Sequence, residues 1–232
     1  IIAIFIICLS LSPAASSDCT TVPADCQPFD LCPANKHIEI ILSDRTDIKN
    51  ERGNRYKDMK LGLKGLKLFI TAGASGIGRQ IVESFLSEGA DVSTCDIDNT
   101  ALADLRAAHP SVLAHQCDVS NSSAIQALIK NTADEMGGLD CLVNNAGIAG
   151  PTACIEDIDD EAWHKCVNIC LSSQFYCIKA ALPYLRGSKN ASIVNLSSAA
   201  GKFGFPLRSP YAAAKWGVVG LTKTLSIELG QD

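Results

Sequence analysis

Lys67-Leu-Phe-Ile-Thr-Ala-Gly-Ala-Ser-Gly-Ile-Gly-Arg79 is the stretch on which the fold turns. The apolar run Lys67 to Thr71 reads as a buried strand, and the residues from Gly78 to Glu88 carry helical period. Between them Gly73, Ser75, Gly76, Ile77 and Gly78 form a turn whose glycines, lacking side chains, let the backbone approach a phosphate. The helix that follows presents free N–H groups and the positive end of its dipole to the same point. A glycine turn alone has a structural alternative, because any tight strand-to-helix junction favours Gly. The next apolar run, Asp91 to Asp96, ends in an acid about 20 residues beyond the turn, the spacing at which a carboxylate accepts hydrogen bonds from an adenosine ribose. That carboxylate would repel the extra phosphate of NADP, and neither Ser75 nor Ile97 supplies a cation to offset it, so NAD is the expected cofactor. The alternative for Asp96 is a strand-end turn residue.

Working outward, short apolar runs alternate with helical stretches, the pattern of βαβ units in a doubly wound parallel sheet. Strands are expected over 67–71, 91–96, 112–116, 139–144 and 192–196. Helices are expected over 78–88, 100–108, 122–136, 161–185 with a bend at Pro183, and 211–229. Residues 19–58 carry Pro, Cys and mixed charge without sustained period and read as a loosely ordered arm. The apolar run at 1–11 and the small residues up to Ser16 resemble a signal-peptide core and cleavage site, but no Lys or Arg precedes Lys36. The run is too short to span a bilayer, so no membrane segment is expected.

Hydrophobic residues make up 47% of the chain and charged residues 19%, a balance that lets a core form and excludes a disordered polyelectrolyte. The net charge of -5 excludes a polyphosphate partner such as DNA or RNA. The eleven cysteines lack paired metal-ligand spacing, so no metal is expected. Cys95, Cys117 and Cys141 read as small buried hydrophobes. Three glycosylation sequons occur, at Asn121, Asn190 and Asn195, yet Asn195 sits in an apolar strand with no room for a glycan. A reducing, cytoplasmic setting is favoured.

Further along come Asn144-Asn145-Ala146-Gly147 after the fourth strand, Ser198 after the fifth, and Tyr211-Ala-Ala-Ala-Lys215 opening the last helix. Taken together and in this order, the glycine turn, the NNAG segment, a Ser thirteen residues before a Tyr, and YxxxK resemble the short-chain dehydrogenase/reductase family. The resemblance runs from near Met59, where such proteins commonly begin, to the end of the chain. It implies a cofactor-binding domain over 59–232, with 1–58 as an extension. It also implies hydride transfer between NAD(H) and a secondary alcohol or ketone, a small-molecule substrate of unspecified class.

The chemistry gives each residue a reason. Removing hydride from an alcohol requires a base for its hydroxyl proton, and the reverse requires an acid. By the resemblance Tyr211 is that group. A free phenol titrates near pH ~10, so it serves near neutrality only where a positive charge favours the phenolate. Lys215, one helical turn on, meets this need, and the family Lys also binds the nicotinamide ribose. Ser198 matches the residue that bonds the substrate oxygen. Asn168 matches the Asn that holds a relay water, with a buried, backbone-bonded amide as its alternative. Asn144, Ala146 and Gly147 match cofactor-side residues, whereas Asn145 reads as a tie between strands. Asp118 matches an acid that contacts adenine, with a helix N-cap before Ser122 as its alternative.

Two departures stand out. Ala72 occupies the place of the first glycine in TGxxxGxG, for which a modest loss of cofactor affinity is expected. Relatives continue with two further strands, so 192–196 is expected to be an open apolar edge that aggregates or seeks a partner. An incomplete chain of little turnover is expected on that ground. Family members often associate through the helices matching 161–185 and 211–229, so a homo-oligomer is expected of the complete protein. The rival readings are a cofactor-binding regulator without catalysis and an inactive partner of intact subunits.

Overall fold

A computed structural model describes residues 5–10, 40–42 and 61–230. The expected signal-like and arm segments otherwise lie outside the described residues. Seven strands, β1 (Phe5–Ser10), β2 (Ile40–Leu42), β3 (Lys67–Thr71), β4 (Asp91–Asp96), β5 (Leu113–Gln116), β6 (Cys141–Asn144) and β7 (Ser192–Leu196), form one sheet in the order β2-β1-β7-β6-β3-β4-β5. The five from β3 to β7 are mutually parallel. The helices are α1 (Gly76–Ser87), α2 (Asn99–Ala108), α3 (Ser122–Met136), α4 (Asp160–Val167), α5 (Ser173–Leu185) and α6 (Ser209–Glu228).

The layering follows from the strand sequences. In β3, Leu68 and Ile70 pack with Val82, Leu102 and Leu105 of α1 and α2, while Phe69 packs on the other face with Ile125, Ile129, Cys177 and Leu185 of α3 and α5. Both faces are therefore covered, which is why the strands read as continuous apolar runs. From β3 the chain winds to β4 and β5 in one direction, then returns to β6 on the other side. The loops after β3 and β6 diverge at this reversal, the point at which open α/β sheets bind ligands.

Two expectations are corrected. The edge at Ser192–Leu196 is not open, because Phe5–Ser10 pairs antiparallel along its whole length, Ile6 opposite Leu196 and Ser10 opposite Ser192. The apolar run read as signal-like thus answers the unpaired backbone groups of β7. The stretch 161–185 is not one continuous α-helix: a π-helical turn at Asn168–Ser172 separates α4 from α5, and Pro183 lies within α5. Asn195 is fully buried, as its strand position demands.

Cys95 and Cys141 are buried, whereas Cys117 is only half-buried. No cluster of three or more metal-ligating side chains occurs among the described residues. No described helix is long and apolar enough to cross a membrane. Burial pushes the Cys177 thiol from the ordinary 9.0 up to about 12, and it also raises Cys95 and Cys117. A thiol whose folded value is raised contributes stability that is intact below its unfolded value and is lost as pH climbs toward the folded one. Resistance to denaturant is expected to hold up to pH 9.0 and to decline between there and about 12. Cys177 accounts for up to ~1.4 kcal/mol per pH unit of that decline, and Cys177→Ala should flatten the slope accordingly in denaturation at stepped pH.

Candidate functional site

Helix α1 begins at Gly76 after an extended Ser75, with no side chain capping it and no acidic residue in its first turn. Its leading N–H groups are left for an anion, and Ser75, Gly76 and Ile77 beside them are exposed. Gly76 holds φ 54, a conformation that suits glycine. At Gly78 a Cβ would land on the carbonyl oxygen of Ala72 and lie 2.6 Å from Nδ2 of Asn145, so the turn closes on the bare backbone. The Gly73 amide donates to the Cys95 carbonyl at 3.3 Å, tying the turn to β4.

Ala72 takes φ 54, the left-handed region that penalises an L-residue by about 1–2 kcal/mol. The departure from glycine is therefore a backbone strain at the head of the loop. Ala72→Gly should relieve it, offset partly by the freer unfolded chain, for a net gain of about 0.5–1 kcal/mol in denaturant unfolding.

Asp96 is 8% exposed; its Oδ2 accepts from the Ala74 amide at 3.2 Å and its Oδ1 from the Asp98 amide at 3.1 Å. Asp96 thus does more than end a strand, because it holds the glycine turn in register. Asp118 is exposed, and its Oδ1 accepts from both the amide and the hydroxyl of Ser120. It does not cap α3, since Asn121 does so by accepting from Ala124.

Across the reversal, Thr71 Oγ1 accepts from the amides of Asn145 and Ala146, each at 3.0 Å, and Asn145 Nδ2 donates to the carbonyls of Thr71 and Ala72. The two loops are stitched into one floor, with Asn145 in the expected tying role. Asn144 is 1% exposed and its side chain is turned along the sheet, Nδ2 donating to Asn195 Oδ1 at 2.8 Å, and Asn195 in turn donates to Thr222 at 3.0 Å. Asn144 ties β6 to β7 from within the sheet, while its Oδ1 is buried without a partner among the described residues. This ladder, and the separate bonds of Thr71 to the Asn145–Ala146 loop, carried no sequence signal beyond polar residues inside apolar runs.

The catalytic candidates converge beside this floor. Ser198 is half-buried at the end of β7, its Oγ accepting from the Ala200 amide at 3.2 Å. Lys215 of α6 is 4% exposed; its Nζ donates to the Leu196 carbonyl at 2.8 Å and lies 5.7 Å from the centre of the Tyr211 ring. Next to Ser198, Ser197 donates to the Lys215 carbonyl at 2.9 Å, locking helix to strand end. Burial depresses Lys215 from its ordinary value, and no carboxylate pairs with it among the described residues. A Cβ on Gly147 would sit 3.6 Å from Lys215 Nζ and 3.8 Å from Cys170 Sγ, so Gly147 leaves open the space between them.

Asn168 makes no hydrogen bond to Ser198, Tyr211 or Lys215. It opens the π-helical turn and is exposed, without a side-chain hydrogen bond among the described residues, which sets aside the buried, backbone-bonded alternative. The side chain that borders Lys215 is Cys170, fully buried, with Sγ 3.3 Å from the Ile148 carbonyl oxygen and 3.4 Å from its amide. The π turn shifts the phase of the helix, and such turns recur at functional sites. Arg208 is a second residue missed, its charge masked by the apolar segment around it.

A model of the family described as short chain dehydrogenase matches residues 67–232. The chain is 36% identical over 160 residues to the 2-dehydro-3-deoxy-L-rhamnonate dehydrogenase (NAD(+)) of Sphingomonas sp., covering 69% of this chain and 64% of that protein. It is 35% identical over 165 residues to the 3beta-hydroxysteroid dehydrogenase of Mediterraneibacter gnavus, covering 69% and 59%. Among solved structures, a short chain dehydrogenase from Mycobacterium smegmatis superposes with a TM-score of 0.66 at 39% identity, covering 72% of this chain and 71% of that one. The chain thus spans less than two thirds of the length of either curated relative.

Proposed function

This chain belongs to the short-chain dehydrogenase family, and from that premise we propose that it is an oxidoreductase that moves hydride between NAD(H) and a secondary alcohol or ketone, with Tyr211 transferring the proton. The observation that carries the reading is the buried ammonium of Lys215, without a carboxylate partner among the described residues, 5.7 Å from the Tyr211 ring. A desolvated cation in that position favours a phenolate over a phenol.

The residues present fit a dinucleotide. The uncapped start of α1, with Gly76 and Gly78, would take the pyrophosphate, Asp96 the adenosine ribose, and Asp118 and Ile97 would border the adenine. Gly147, Ala146 and Lys215 would flank the nicotinamide end. When bound, the nicotinamide supplies or accepts the hydride. Tyr211 takes the hydroxyl proton in oxidation and returns it in reduction, Ser198 holds the reacting oxygen by hydrogen bond, and Lys215 stabilises the phenolate throughout. Asp96 disfavours a 2′-phosphate, and the Sphingomonas relative is named for NAD(+), which supports NAD over NADP.

Phe175 and Trp216 are each 50% exposed on α5 and α6, which supports association of copies through these helices. A soluble small molecule is the substrate class, in a cytoplasmic setting. The test is NAD+-dependent oxidation of a panel of secondary alcohols by the intact protein, followed by nicotinamide fluorescence. Turnover that exceeds the NADP+ rate is expected. NAD+ binding without turnover of any alcohol would favour the cofactor-binding regulator.

A further inference from the structure

Arg208 is the cation of this centre that proton transfer does not use. It stands immediately before α6, half-exposed, with Nη2 donating to the Ala149 carbonyl. Its guanidinium carbon lies 5.4 Å from the centre of the Tyr211 ring and 6.0 Å from that of Phe205. The ion pairs among the described residues join Glu83 to Arg79 and to His109, and none reaches Arg208. One carbonyl and two ring faces leave most of its five donors unanswered. Its Nε is enclosed without an acceptor, and so is the hydroxyl of Ser209, the next residue. Two consecutive unsatisfied polar groups at the start of the catalytic helix are a specific anomaly, since buried donors are ordinarily paired.

The backbone reinforces this placement. Leu207 takes φ 62, a left-handed conformation rare for a branched residue, and its carbonyl accepts from the Ala153 amide at 3.0 Å while the Arg208 amide donates to Phe205. The turn delivers the guanidinium over Tyr211 instead of letting it extend into water. A mere tie to Ala149 would need one donor and no charge, whereas a planar fork over the Tyr211 ring suits a carboxylate.

We infer that Arg208 binds a carboxylate on the substrate, so that the alcohol this protein oxidises is a hydroxy acid. The inference rests on the reading of Tyr211 as the proton-transfer group. With the guanidinium over the Tyr211 ring, the carboxylate and the reacting hydroxyl lie close together on a short chain. Phe203, Phe205 and Leu207, about half exposed beside Arg208, border its hydrocarbon part.

The test compares 3- and 4-hydroxy acids with their N-methyl amides, using NAD+ and the intact protein, its Arg208→Leu variant and its Arg208→Lys variant. The wild type is expected to favour acids by at least about tenfold in kcat/KM. Arg208→Leu should raise KM for acids by roughly a hundredfold with little change in kcat, and affect the amides far less. Arg208→Lys should recover part of the loss, and thermal unfolding with NAD+ titration shows that each variant is folded. Equal losses for acids and amides, or amides preferred by the wild type, would overturn the inference and leave the hydride-transfer reading standing. Turnover of neither class by protein that oxidises other secondary alcohols of the panel would overturn this inference alone, whereas NAD+ binding without turnover of any alcohol would overturn that reading and this inference with it.

Discussion

Tyr211→Phe is expected to lower kcat by about a thousandfold while NAD+ binds as before. Only the hydroxyl is removed, and it makes no hydrogen bond with any described side chain or backbone group, so stability should change by less than about 0.5 kcal/mol. The ring stays in place, still stacked under Arg208 at 5.4 Å and beside Lys215 at 5.7 Å. What disappears is the group that exchanges a proton with the substrate oxygen, a contribution made in the transition state and not in cofactor binding. Steady-state kinetics and NAD+ titration of the same preparation separate the two. A variant that retains turnover would assign proton transfer elsewhere, and one that loses NAD+ affinity in step with kcat would make Tyr211 a binding residue.

Asp96→Ala should weaken NAD+ about 30- to 100-fold, the loss of roughly 2–3 kcal/mol of charge-assisted hydrogen bonding. Two effects combine. The carboxylate no longer meets the ribose, and the Ala74 and Asp98 amides that it holds at 3.2 and 3.1 Å lose their acceptor, which loosens the glycine turn. NADP+ should be affected less, because the repulsion of its 2′-phosphate is relieved at the same time. Asp96→Asn separates the contributions, since an amide oxygen can still accept from Ala74 while the charge is gone. If Asn matches Asp for NAD+, the acid serves the loop alone.

The five parallel strands were legible because burial on both faces leaves nearly unbroken apolar runs, and their ends moved by no more than two residues. The glycine turn, Asp96, Ser198, Tyr211 and Lys215 were legible because strand-to-helix junctions carry both the structural glycines and the chemistry. The π-helical turn at Asn168–Ser172 was not, since one wider turn hardly disturbs a helical apolar pattern over the whole of 160–185. That phase change leaves Asn168 exposed at the start of the turn and brings Cys170 to the border of Lys215. The pairing of Phe5–Ser10 with β7 joins segments far apart in sequence, and a short apolar run carries no mark of its partner. The direction of the Asn144 amide along the sheet was hidden for a related reason: residue type shows that an amide belongs at a strand end, but not which way it turns. The strain at Ala72 is likewise invisible until φ is known.

The most direct test of the central claim is calorimetric titration of the intact wild-type protein with NAD+ and NADP+ in parallel. Saturable NAD+ binding, at least about tenfold tighter than NADP+, is expected from Asp96 and the uncapped start of α1. Folded protein that binds neither dinucleotide, or that prefers NADP+, would contradict it.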